Sequence, residues 1–175
     1  TKTDATDWSW GALMADFDLD GHKDIFVCNG VFKDVTNQDF LEFFQSEAVV
    51  REFVVDQNAD FRPLLDKIPS RPLPNYLFRN DGNLNFRNVA KDWGLADPSF
   101  SNGAAYADFD GDGDLDLVVN NLNEPAAFYE NNARTLDQNN FLQLQFEGEA
   151  GNLRGIGAQA TAYAKGQQFY LENIP

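Results

Sequence analysis

Two stretches of the chain, 92 positions apart, repeat each other without a gap. Residues 9–30 read SWGALMADFDLDGHKDIFVCNG, and residues 101–122 read SNGAAYADFDGDGDLDLVVNNL. Twelve of these 22 positions are identical, among them Asp16, Asp18, Asp20, Gly21 and Asp24, which recur as Asp108, Asp110, Asp112, Gly113 and Asp116. A duplicated unit reuses one local geometry, so whatever folds the first copy is expected to fold the second.

Each copy has the same grammar. A run of small and apolar residues (Gly11–Ala15, Gly103–Ala107) leads into an Asp-rich turn, and a β-branched or aromatic run follows (Ile25–Val27, Leu117–Val119). That pattern predicts strand, tight loop, strand. Residues 75–90 predict a hairpin, with strands Tyr76–Arg79 and Asn85–Val89 joined through Asn80-Asp81-Gly82. Residues 125–132 predict a further strand, and YLFRN resembles AFYEN, so the expected unit is a four-stranded antiparallel sheet, repeated.

Between the first copy and the hairpin the period changes. Phe40, Leu41, Phe44 and Ala48, with Phe43, Val50 and Val54, are spaced helically. Thr36 and Asp39 predict a capping pair, and a shorter helical run covers roughly 60–68 before the proline-rich PSRPLPN. The Phe-rich helix (Phe40, Phe43, Phe44, Phe53) is expected to cover a sheet face or blade edge. In the tail, Phe141–Phe146, Ile156–Tyr163 and Gln167–Leu171 alternate and predict three strands.

The two loops share the pattern D-x-D-x-D-G-x-x-D, with carboxylates at loop positions 1, 3, 5 and 9 and glycine at 6. Carboxylates gathered at one point repel, by roughly 4 kcal/mol per pair at 4 Å and an effective dielectric of 20. A hard divalent cation removes that repulsion, and an Asp-rich loop with a mid-loop glycine is a protein's way of making a calcium cage. The expected ligands are Asp16, Asp18, Asp20, His22 and Asp24 in the first loop and Asp108, Asp110, Asp112, Asp114 and Asp116 in the second. At position 7 the backbone carbonyl would serve, which explains why His22 and Asp114 can interchange. Position 12, glutamate in an EF-hand, is Val27 or Val119 here, so each site would close through its ninth-position aspartate.

Charge and composition narrow the function. There are 28 acidic residues against 13 basic, a formal charge of −15, which argues against nucleic acid or an anionic membrane as partner. Two bound Ca²⁺ would bring that to about −11. A single cysteine, Cys28, excludes an internal disulfide and is expected to pack in a strand; a single histidine, His22, excludes a multi-His metal centre. No apolar run is long enough to span a bilayer. Neither end reads as a natural terminus, so the chain is expected to be a piece of something longer. Trp8, Trp10 and Trp93 could form a sugar platform, although aromatic packing is the plainer expectation.

The segments GALMADFDLDGHKDIFVCNG and GAAYADFDGDGDLDLVVNN resemble FG-GAP or VCBS repeats, the blades of integrin-type β-propellers. LFRNDGNLNFRNVAKDWGL resembles blades of the cartilage-acidic-protein-like family, and NLRGIGAQATAY is similar to that family's ASPIC/UnbV tail. The resemblance implies a mainly β fold: two four-stranded antiparallel propeller-type blades, a partial β-propeller, with a helical insertion and a C-terminal β segment. The expected division is 1–30 for strands one and two of the first blade with their calcium loop, 31–74 for the insertion, and 75–92 for the outer hairpin. The second blade would take 93–138 and a truncated ASPIC/UnbV-like segment 139–175. The resemblance implies two Ca²⁺ sites and a non-enzymatic scaffold for adhesion or protein binding, outside the cytoplasm or in the cell envelope. The alternatives are a carbohydrate-binding module or the propeller frame of a secreted hydrolase or lyase.

Overall fold

The alternation on either side of each Asp-rich turn is realised as antiparallel strands. The computed structural model describes residues 3–49, 51, 60–136, 139–164 and 166–174. Strand β1 (Ser9–Ala15) pairs with β2 (Asp24–Asn29), and Ala15 lies opposite Asp24 at the mouth of the loop. In the second copy β5 (Ser101–Ala107) pairs with β6 (Asp116–Asn121), with Ala107 opposite Asp116. Both pairs slip register at one place, between Ser9 and Gly11 and between Ser101 and Gly103. The duplication therefore extends to a bulge, at a glycine that tolerates it.

The first sheet continues through β3 (Tyr76–Asn80) and β4 (Phe86–Asn88) in the order β1-β2-β3-β4. The second adds β7 (Ala127–Tyr129) and stops at three strands among the described residues. This departs from the expected pair of four-stranded sheets, and one residue explains it. After β3 the chain reverses through Gly82, Asn83 and Leu84, all with positive φ. The matching position after β7 is Ala133. Ala-Arg-Thr-Leu favours helix, and the chain turns into α4 (Ala133–Leu136) instead of a hairpin.

The two sheets face each other across one core. Phe26, Cys28 and Leu77 come from the first, Val89 and Ala90 from the chain just after β4, and Leu117 and Val119 from the second. Phe26 is fully buried, a burial that contributes about 2–3 kcal/mol. The Phe17 ring crosses the interface and meets Tyr106 edge-on. Asn75 bridges the far end, its Oδ1 accepting from the Asn29 amide and its Nδ2 donating to Ser101 Oγ.

The segment between β2 and β3 holds α1 (Gln38–Phe44), the single turn α2 (Glu47–Val49) and α3 (Arg62–Asp66). The cap of α1 is Asn37, whose Oδ1 accepts from the Phe40 amide; Thr36 instead donates its hydroxyl to Asp34. The expected helical stretch around Val50, Phe53 and Val54 lies largely outside the described residues. No residue of α1 is buried, so it covers no sheet face; Phe40 and Phe44 stack on each other instead. In the tail, β8 (Gln159–Ala164) and β9 (Gln167–Glu172) form a two-stranded ribbon. The strand expected at Phe141–Phe146 does not form, and Phe141 lies against the second Asp-rich loop instead. No helix among the described residues is long and apolar enough to cross a membrane.

Candidate metal centres in the two aspartate loops

Each loop wraps around its own first aspartate. Asp16 accepts from the amides of Asp20 and Gly21, at 3.0 and 2.9 Å. Asp108 accepts from Gly111 and Gly113, at 2.7 and 3.1 Å. The sixth residue carries φ of 92° in Gly21 and 99° in Gly113, which a side chain would resist. Position 5 pins the next amide: Asp20 accepts from His22, and Asp112 from Asp114.

The ninth aspartate locks loop to sheet. Asp24 Oδ2 accepts from the Phe17 amide and Oδ1 from the Asn80 amide. Asp116 repeats this with Phe109 and Asn131. Both carboxylates are buried. Burial pushes the Asp24 carboxyl up to about 7, with the charges of Asp18 and Asp16 adding to the effect and the two amide donors opposing it. Burial also raises Asp16 and Asp18; Asp20 adds to the rise at Asp18, and Arg79 opposes it there.

Positions 1, 3 and 9 converge. One oxygen from each of Asp16, Asp18 and Asp24 lies within 4.8 Å of the others, and Asp108, Asp110 and Asp116 do the same. Two ligands on opposite sides of a calcium ion, each about 2.4 Å away, would be about that far apart. The first triad has a second feature that fits a cation. Asp18 is 3 % exposed, and its Oδ1 has no hydrogen-bond partner. A buried carboxylate oxygen left without a donor is costly, and a cation satisfies it.

The other four candidates lie outside these triads. Asp20 is held by Arg79, and His22 is half-buried in the loop. Asp112 holds the Asp114 amide. Asp114 is buried, one oxygen accepting from the Arg134 amide in α4 and the other unpartnered. Burial raises its carboxyl above the usual range, against the pull of that amide.

Sequence reasoning missed three side chains here. Arg79 reaches from β3 to Asp18 at 2.5 Å and Asp20 at 3.2 Å. Asn80 donates to Lys23 O, while Asn131 donates to Leu115 O and also to Phe17 O in the first loop. The signal was present in the likeness of YLFRN to AFYEN. Phenyl rings from the tail also rest on the loops: a Cβ at Gly21 would sit 2.7 Å from Phe169, and one at Gly113 would overlap the Phe141 ring. Cys28 is buried, and burial pushes its thiol up to about 11, which makes it an inert packing residue. Trp10 is exposed and donates to Gly30 O, and Trp8 precedes β1. Between the sheets a cavity of about 450 Å³ is lined by Leu77, Trp93, Tyr129 and Glu130, and adjoins the first triad through Asp18.

Residues 65–119 match the FG-GAP-like repeat family. Over 91 residues the chain is 34% identical to mouse (Mus musculus) cartilage acidic protein 1, an alignment covering 48% of this chain and 14% of that protein. The chain thus spans a small part of this relative. No solved structure matches it significantly. An ASPIC/UnbV segment is not among the matches.

Proposed function

We propose, from the FG-GAP-like repeat as premise, that this chain is a calcium-braced repeat scaffold. Its sheets would be propeller blades, divided along the chain as the repeat suggests. Its work would be non-enzymatic: presenting a surface for adhesion or protein binding outside the cytoplasm or in the cell envelope. The observation that carries the reading is the convergence of the same three loop positions in both copies, with Asp18 Oδ1 buried and unpartnered in one of them.

Asp16, Asp18 and Asp24 would hold one ion, and Asp108, Asp110 and Asp116 the other. Asp20, Asp112 and the carbonyls of His22 and Asp114 remain candidates for completing the shells. A bound Ca²⁺ would supply charge neutralisation and a rigid joint between consecutive strands. Extracellular modules bind calcium at about 10⁻⁴–10⁻³ M, and millimolar calcium outside cells would keep such sites filled. The chain's own residues do the rest: Asp24 and Asp116 fasten each loop to its neighbouring strand, and Asn131 fastens one loop to the other.

Thermal melts test this. EDTA should lower the melting midpoint and added Ca²⁺ restore it, while Asp110→Ala should blunt the calcium response. An unchanged midpoint under chelation would sink the proposal. A glycan array read with and without calcium separates protein adhesion from sugar binding.

A further inference from the structure

We infer that the two loops are unequal ion sites, and that Arg79 makes them so. The inference rests on the calcium reading above. The loops match at positions 1, 3, 5, 6 and 9, but the strand beside each loop does not. Phe78 pairs with Ile25 as Tyr129 pairs with Leu117, so the residue after each, Arg79 and Glu130, holds the same place in the two copies. The next residues, Asn80 and Asn131, make the same amide bond to the ninth-position aspartate. The register is therefore fixed, and one cation faces one anion across the repeat.

In the first loop the guanidinium has already taken two acceptors. Its Nε binds Asp18 Oδ2 and an Nη binds Asp20 Oδ2, which leaves Asp18 Oδ1 without a donor. Asp18 is thus divided: one oxygen serves Arg79 and the other is buried without a donor. Asp20 is diverted from the ion. Four loop aspartates offset by Lys23 within the loop and by Arg79 beside it leave a formal charge of about −2. In the second loop five aspartates gather, and among the described residues no Lys or Arg side chain pairs with any of them. Its position 5, Asp112, has no competing cation there.

Two consequences follow. Calcium should enter the second loop first and more tightly. The first loop should bind more weakly, but should keep its shape when empty, because Arg79 ties Asp18 and Asp20 to β3. Even in water, a divalent ion about 6 Å from a unit positive charge is repelled enough to weaken binding about tenfold.

Calorimetric titration of the whole chain with CaCl₂ tests this. The wild type should show two steps at least about tenfold apart in affinity. Asp16→Asn should abolish the weaker step and Asp110→Asn the tighter one. Arg79→Gln should tighten the weaker step, bringing the two together. Arg79→Lys should keep them apart. Glu130→Arg, at an exposed position, should weaken the tighter step without needing Arg79 to be disturbed. Loss of the tight step in Asp16→Asn, or two steps unmoved by both Arg79→Gln and Glu130→Arg, would overturn the inference while leaving calcium binding intact. No calcium heat in the wild type overturns the calcium reading itself, and this inference with it.

Discussion

Asn131 is a side chain that joins the two loops directly. Its Nδ2 donates to Phe17 O at 2.7 Å and to Leu115 O at 3.1 Å, and its Oδ1 accepts from the Ala133 amide at 3.0 Å. Asn80 occupies the same place in the first sheet and makes only the local pair, to Lys23 O at 3.2 Å and from the Gly82 amide at 3.1 Å. The repeat thus supplies an internal control. Asn80→Ala removes two hydrogen bonds at a partly exposed turn and should cost about 1–2 kcal/mol. Asn131→Ala removes those two equivalents and the cross-sheet bond, stranding the Phe17 carbonyl at the interface. It should cost about 2–4 kcal/mol. The difference, about 1–2 kcal/mol, corresponds to roughly 2–8 °C between the two melting midpoints for a chain of this length. The melts belong in saturating Ca²⁺, so that both loops start from the same state. Equal midpoints for the two variants would refute the idea that Asn131 couples the sheets.

The metal-free protein should lose stability as pH rises from about 4 to 7. Asp24 keeps its proton in the folded state up to about 7 but releases it near 3.8 when unfolded, so across that window the native state binds more protons. The contribution is complete below 3.8 and is lost as pH passes through about 7; a midpoint in EDTA that climbs with pH would contradict this. Gly113→Ala should cost about 1–2 kcal/mol more than Gly111→Ala. Both residues have positive φ, but only at Gly113 does the new carbon meet the Phe141 ring, and urea melts of the two variants compare them. Phe17→Ala should cost about 3–5 kcal/mol and Phe109→Ala under about 1 kcal/mol, since the first ring is 5 % exposed and its repeat partner 57 %. Similar losses in denaturant melts would mean that the inter-sheet core is misassigned.

The duplication made the strand pairs and the loop positions legible, because a repeated sequence constrains one geometry twice. Positions 1, 3 and 9 could be read as converging from the loop pattern alone. Position 5 in the first copy could not, since its partner is Arg79, 59 residues away on another strand. Local pattern also missed the missing strand. It saw two similar segments in YLFRN and AFYEN, but the turn after each decides between hairpin and helix, and Gly82 against Ala133 decides it. At α1 the helical period was right and the cap was off by one, because Asp34 claims the Thr36 hydroxyl and leaves Asn37 to accept from Phe40. Phe141 alternates as a strand residue should. It has no paired neighbour to hydrogen-bond with, while the bare face of Gly113 and the guanidinium of Arg134, 5.2 Å from its ring, give it somewhere else to go.

Duplicated loops need not stay duplicates in function, and the reason here is positional. The residues that shape each turn lie within nine positions of one another, so copying the segment copies the turn. The residues that set its charge and its surroundings come from elsewhere: Arg79 from β3, Asn131 from the end of β7, Phe169 and Phe141 from the tail. Those are free to diverge without disturbing the backbone that Asp16 and Asp108 hold in place. A loop whose shape is set locally and whose charge is set at long range can therefore be tuned in affinity while its fold is conserved. The exchange of Arg79 for Glu130 reverses the charge at one register position while the strand pairing and the amide bond to the ninth aspartate stay the same.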